Sequence, residues 1–437
     1  MHLLFKKYFL NYRSLFFFYL VSRLLILLSF NELPSLFISH YEPAAKNVIA
    51  GKGFSVEYEQ TLVPLTLYPP GYSSIIAGVY FLAGVNPNHL RVLQIVFLSL
   101  CLFLFCKTIE HHIEDQRKAI LIGYFYVLNP IFWVQDVSLN TGASLAISFA
   151  LLGLFFAASF FRHARNYPAM FLAGLFIAVA SSIRSEFTLF LVALIGLSLA
   201  PPKFNLKGIL LFIVGVSVVF VPMSIRNYEN FGAISPLPGG TGLAMVNVIG
   251  KYYPSNEEQF AFGDGKILQV EGGNFTTLTY PDPYQREAAR LHRSLNFIYR
   301  NPGKYFVVLL KNLPRAWFGQ QLYLSGDDSI SFQEYVSSGG GLFAFLKSHP
   351  LKFADIVLGF VDSLLLFFAA LYFLLTYPPA FKKYSFFIVP AIFFFIFFVP
   401  LGTLGRYTLP GYTMLIPLSY LGFEDLYRKA KVRRWRE

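Results

Sequence analysis

Long apolar runs separated by short polar interruptions dominate this chain. Runs able to cross a hydrocarbon layer of about 30 Å, which takes about 17–25 residues, fall at roughly 14–30, 90–109, 119–135, 142–160, 168–184, 208–225, 352–377 and 385–400. Two shorter runs, 187–200 and 409–421, complete a set of about ten expected spans. The segments 71–85 and 303–319 are also apolar, but the first is short and led by Pro69-Pro70, and the second carries Lys311 and Arg315. Both are expected to lie as helices along the outer membrane surface.

Basic residues orient this pattern, because loops rich in Lys and Arg stay cytoplasmic. Lys6, Lys7 and Arg13 place the N-terminus inside. Arg117 with Lys118, Arg162 with Arg165, Lys203 with Lys207, and Lys382 with Lys383 mark later inner loops, and Arg428 to Arg436 mark the tail. Both termini are therefore expected in the cytoplasm, with the chain crossing the plasma (inner) membrane many times and outer loops at 31–70, 227–304 and 320–350. The first run follows a basic start without a small-residue cleavage site, and reads as a retained anchor. No internal repeat is evident and no loop is large enough for a separate unit, so 1–437 reads as one all-α integral membrane domain.

Composition agrees: apolar residues are 55% and charged residues 14%, too little polar surface to cover a water-soluble protein of 437 residues. The net charge of +12 does not point to nucleic acid, because the basic residues gather at inner span ends, where insertion and anionic membrane lipid account for them. Cys101 and Cys106 lie on different faces of one expected span, which leaves neither a disulfide nor a metal pair. No cofactor is firmly predicted, and a divalent metal is left open without support. Glu110, His111, His112, Glu114 and Asp115 read as charged helix ends, and Asp327-Asp328 lack further ligands for a divalent cation.

Candidate chemistry lies in the first outer loop and at outer span ends. Tyr41-Glu-Pro-Ala-Ala-Lys-Asn-Val-Ile-Ala-Gly-Lys-Gly-Phe54 reads as an amphipathic helix closed by a Gly-x-Gly turn, and Tyr68-Pro-Pro-Gly-Tyr72 as a rigid entry into the next apolar segment. Arg184, Glu186, Arg226 and Arg406 sit at apolar boundaries on the outer side, where a charge needs a partner, a polar cavity or the interface. Three converging guanidiniums would grip a phosphate bidentately; for Arg184, pairing with Glu186 is the plain alternative. Glu42 opens the amphipathic helix and is the candidate general base, although a carboxylate is favoured at a helix N-terminus in any case. Glu32, just outside the first span, and Asp136, expected to start the outer loop 136–141, are alternatives. His40, Tyr41, Glu186 and Tyr407 would support the site.

Four further motifs follow in order: Ile183-Arg-Ser-Glu186, Ile225-Arg-Asn-Tyr-Glu-Asn-Phe-Gly232, Tyr299-Arg-Asn-Pro-Gly-Lys-Tyr305 and Gly405-Arg-Tyr-Thr-Leu-Pro410. With the two loop segments they make the chain resemble the polyprenyl-phosphate-dependent glycosyltransferases of the GT-C superfamily. The resemblance is to the branch related to dolichyl-phosphate-mannose protein mannosyltransferases, a glycosyltransferase family 39-like pattern. It implies a GT-C-type fold and a hexosyl- or pentosyltransferase. Such an enzyme moves a sugar from a polyprenyl-phosphate donor to a protein, lipid or glycan acceptor at the outer face, with inversion at the anomeric carbon. Two positions depart from the family pattern. Phe37 and Ile38 stand where relatives carry an acid, and Thr141-Gly142 stands where they carry Thr-Glu, so Glu42 is assigned by its proximity. A transporter or flippase for a lipid-linked or anionic solute, and an inactive relative, are the alternative readings.

Overall fold

The computed structural model describes residues 11–29, 37–58, 60–65, 68–139, 142–163, 166–199, 205–237, 240–271, 283–318, 345, 347–401 and 408–434. Glu32, Thr141, Arg406 and Tyr407 lie outside the described residues, as do Asp327, Asp328 and most of the loop expected at 320–350. In chain order the helices are α1 (Tyr12–Ser29), α2 (Glu42–Ile49), α3 (Gly71–Ala83), α4 (Pro87–Ile113), α5 (Gln116–Leu128), α6 (Pro130–Val137), α7 (Ala143–Arg162), α8 (Tyr167–Ile183) and α9 (Thr188–Leu199). They continue with α10 (Leu206–Phe231), α11 (Thr241–Tyr252), α12 (Asp264–Val270), α13 (Pro283–Arg300), α14 (Pro302–Phe318), α15 (Pro350–Thr376), α16 (Ala380–Lys383), α17 (Ser385–Leu401) and α18 (Leu409–Arg434). Between α2 and α3 lies a β-structure that the hydropathy pattern did not announce: strands β1 (Ser55–Tyr58) and β2 (Thr61–Pro64) pair antiparallel, Val56 opposite Val63.

Helix starts follow local chemistry. Asn86 accepts from the Asn88 N–H with Pro87 in the first turn of α4, Asp115 accepts from the Lys118 N–H to cap α5, and Asn205 accepts from the Gly208 N–H to cap α10. These caps also account for part of the polar cluster at 110–115. Asp115 is a cap, Glu110 accepts from the Tyr12 hydroxyl at 2.7 Å and from Lys107 at 2.8 Å, and His112 stacks on Phe386.

By length and composition, α4, α7, α10 and the Lys352–Thr376 part of α15 can each cross a membrane, and the bent pair α5 and α6 makes a fifth if it counts as one span. Other expected spans fall on shorter apolar helices at Tyr167–Ile183, Ser185–Leu199 and Ser385–Phe397. The run expected as one span at 119–135 is broken instead, with α5 and α6 meeting at 70°. Pro130 is the reason: a residue before proline is driven out of the helical region, and Asn129 duly has ψ 122°. Asn129 serves the break with its own side chain, accepting from the Ile131 N–H at 3.1 Å and donating to Asp362 on α15 at 3.1 Å.

Close backbone approach holds α8 against α10. A Cβ at Gly174 would collide with the Phe212 carbonyl, and one at Gly215 with the Phe171 carbonyl, so small residues set this contact as they do between helices in lipid. On its other side α10 exposes Leu210, Ile213, Val214, Val218 and Val221, an apolar surface suited to acyl chains.

The region after α10 is held by carboxylates. Glu287 on α13 accepts from the Gly242 and Leu243 N–H groups at the start of α11, and Glu271 accepts from Arg290 at 2.9 and 2.7 Å and from Arg293. Burial pushes the Glu271 carboxyl up, but the two guanidiniums outweigh it and hold the group below its ordinary value of 4.5. A lowered folded value means stability that is present above the ordinary value and lost as pH falls through the folded one. The hydrogen-exchange protection factor of α13, taken against the intrinsic exchange rate at each pH, should therefore fall in the wild type on acidification below about pH 4.5. In Glu271→Gln, α13 should exchange faster already at pH 7 and lose less on further acidification. Equal acid dependence in both proteins would remove Glu271 from this role.

Candidate functional site

The residues 37–41 form a single turn of π-helix that leads directly into α2, whose second residue, Pro43, suits the first helical turn. Tyr41 is buried between two aromatic rings, 5.1 Å from Tyr68 and 4.9 Å from Tyr72, and its carbonyl accepts from Ser73 Oγ at 3.2 Å. Glu42 Oε1 accepts from the Tyr80 hydroxyl at 2.9 Å and lies 3.2 Å from Lys46 Nζ; its side chain is 13% exposed, against 50% for the lysine. The result is a mostly buried carboxylate held between a phenol and an ammonium. His40 stacks edge-on to Tyr68 at 5.5 Å, and burial lowers its imidazole below the ordinary 6.5, so the proton-accepting neutral form prevails at neutral pH.

Two points fasten this loop to the bundle. Gly71 packs on the Ser182 carbonyl near the end of α8, leaving no space for a Cβ. Arg226 of α10 donates through Nη2 to the Leu65 carbonyl at 2.7 Å and the Phe54 carbonyl at 3.3 Å, and through Nη1 to Asn227 Oδ1 at 2.8 Å. Its guanidinium thereby closes the base of the β1–β2 hairpin, where the Leu65 N–H donates to the Phe54 carbonyl at 2.8 Å. Arg184, two residues beyond Ser182, is buried and paired with Glu186. Two of the three arginines expected to converge thus stand at separate fastenings around the first loop, each already engaged, and Arg406 lies outside the described residues.

Asp136 is not at the start of a loop. It is the penultimate residue of α6, 1% exposed, and its Oδ2 accepts from Arg23 Nε at 2.8 Å, which removes it from the reach of an acceptor. Arg23, 0% exposed, also donates to the Val127 carbonyl at 3.0 Å, where it serves the end of α5. The backbone after Asp136 is then hung from three side chains. Gln94 Nε2 donates to the Asp136 and Ser138 carbonyls, Ser144 Oγ donates to the Asp136 carbonyl, and the Tyr72 hydroxyl donates to the Leu139 carbonyl at 3.0 Å. A continuous chain of contacts thus runs from Arg23 to Tyr72 and on to Tyr41, beside Glu42. Reading charges at span ends overlooked Arg23 and the buried Arg91 at the start of α4. The available signal was a lone guanidinium inside an apolar run, which needs a partner.

Among the described residues, no three His, Cys, Asp or Glu side chains group as a metal site. No family model matches the chain, and no curated protein matches its sequence. Among solved structures, the apo oligosaccharyltransferase of Archaeoglobus fulgidus is similar over 98% of this chain and 52% of that one, at 14% identity and TM-score 0.49. AglB from the same organism, in complex with an inhibitory peptide and a dolichol-phosphate, aligns over 99% and 52% at 13% identity and TM-score 0.49. ArnT from Cupriavidus metallidurans bound to undecaprenyl phosphate aligns over 94% and 77% at 16% identity and TM-score 0.40. The chain spans about half the length of the archaeal oligosaccharyltransferases it aligns with.

Proposed function

We propose that this chain is a GT-C-type membrane glycosyltransferase of about ten spans with cytoplasmic termini, which moves a sugar from a polyprenyl-phosphate donor to an acceptor at the outer membrane face. The observation that carries the reading is the construction around Glu42, a sheltered carboxylate on a short helix that the Tyr80 hydroxyl holds in place and that Gly71 and Arg226 fasten to the bundle. A general base needs that combination of fixed position and partial exclusion of water. The ordered family-like motifs supply the substrate class.

In the proposed step, an acceptor hydroxyl or amine gives its proton to Glu42 as its oxygen or nitrogen bonds to the anomeric carbon. The anomeric C–O bond to phosphate breaks, and polyprenyl phosphate departs with the electron pair. Attack from the face opposite the leaving group inverts the anomeric centre. Positive charge beside the phosphate lowers the barrier. Arg406 is the proposed direct ligand and Arg226 adds charge from a position that also braces the loop, while the charge of Arg184 is balanced by Glu186.

Binding of polyprenyl-phosphate sugars to the purified protein in lipid nanodiscs tests the proposal. Arg406→Ala should weaken donor binding by about tenfold or more, and Arg406→Lys should recover only part, because the bidentate geometry is lost. Unchanged affinity in a folded Arg406→Ala protein would leave Arg406 a structural anchor. Failure of every lipid-linked sugar to bind the wild type would sink the proposal.

A further inference from the structure

Helix α14 carries an apolar stripe that α11 and α13 leave uncovered: Phe306 is 59% exposed, Leu310 54% and Val307 37%. Its opposite face is buried through Tyr305, Val308 and Asn312, and its C-terminal end is pinned to the apolar helix α17 by Trp317 Nε1, which donates to the Phe395 carbonyl at 2.9 Å. A tryptophan docked on a membrane helix beside an uncovered apolar stripe is the layout of a helix lying in the interface. Lys304 and Lys311, two turns apart, line one edge of that stripe.

Both lysines meet the end of α11. Lys304 Nζ lies 5.7 Å from the Tyr253 ring, and Lys311 Nζ lies 5.2 Å from the Tyr252 ring, which Lys251 Nζ approaches to 5.3 Å. The Tyr252 hydroxyl donates to Asn312 Oδ1 at 3.2 Å, which fixes this ring against α14. Among the described residues, no ion pair joins Lys304 or Lys311 to a carboxylate.

We propose that Lys251, Lys304 and Lys311, gathered over Tyr252 and Tyr253, bind the phosphate headgroup of an anionic lipid of the outer leaflet whose acyl chains run along Phe306, Val307 and Leu310. The site rests on the surface placement of α14. Lysine suits it, as a flexible point charge whose stem covers apolar surface while its head reaches phosphate. Held there, the lipid fixes α14 and, through Asn312 and Tyr252, the end of α11.

The test uses the full chain in nanodiscs of phosphatidylcholine containing one-fifth phosphatidylglycerol, followed by counting of the lipids that remain bound after transfer to detergent. Wild type should retain phosphatidylglycerol with about tenfold preference, in keeping with the attraction of lysines near an anionic surface. The triple variant Lys251→Gln, Lys304→Gln, Lys311→Gln should lose that preference, and the three Lys→Arg changes should keep it. A nitroxide at Val307→Cys, selective because Cys101 and Cys106 are buried, should show contact with acyl chains. A label in water would overturn the surface placement; a label in lipid with unchanged preference in the Gln variant would overturn the headgroup site alone. Millimolar inorganic phosphate should fail to displace the lipid, and full displacement would show a phosphate site in place of a lipid site.

Discussion

Replacing Arg23 with alanine is expected to cost about 3–5 kcal/mol of stability, the scale seen when one member of a buried ion pair is removed. Arg23 and Asp136 are 0% and 1% exposed and join α1 to α6 across the bundle. Without the guanidinium, the buried Asp136 carboxylate must stay charged without a counter-ion or take up a proton, and the Val127 carbonyl keeps only the Trp133 indole N–H as a side-chain donor. Asp136→Asn should be comparably harmful, because it leaves the arginine uncompensated. The double change Arg23→Met, Asp136→Leu should recover most of the loss, since apolar side chains of similar volume often replace a buried pair without penalty. Thermal unfolding in nanodiscs measures all four proteins; a double variant no more stable than either single variant would show that the two residues do not act as a pair.

Glu42→Gln should lower sugar transfer by about 100-fold or more, the scale for losing a general base, while leaving folding and donor binding intact. The substitution is nearly isosteric, and the amide oxygen can still accept from the Tyr80 hydroxyl, so α2 and α3 remain tied. What disappears is the capacity to take a proton. Turnover at saturating donor separates this loss from any weakened binding. Near-normal transfer would move the role to Glu32, because Asp136 is sealed in the bundle.

The local parts of this architecture were legible in the chain. Pro43 and the Gly51-Lys-Gly53 turn bound α2, Pro69-Pro70 precede α3, and the long apolar runs became helices. The Asn129-Pro130 break was equally visible as chemistry, but the hydropathy of 119–135 conceals it, because an apolar average ignores one missing N–H. The hairpin at 55–64 is short enough for its alternation to pass as irregular loop, and Gln60 turns it with φ 66°. Partner choice was not legible at all. Nothing near Arg226 in sequence announces that its acceptors are the carbonyls of Phe54 and Leu65, and Arg23 meets an aspartate 113 residues away. Burial decides such pairings, because a charge in an apolar setting takes whichever acceptor the packing brings to it.

The central proposal is transfer from a polyprenyl-phosphate sugar, and the most direct measurement is the release of polyprenyl phosphate by the purified protein in nanodiscs supplied with lipid-linked sugars and a mixture of peptide, lipid and glycan acceptors. Wild type should release polyprenyl phosphate in step with the appearance of sugar on an acceptor, and Glu42→Gln should do neither at a comparable rate. Intact donor throughout would contradict the proposal.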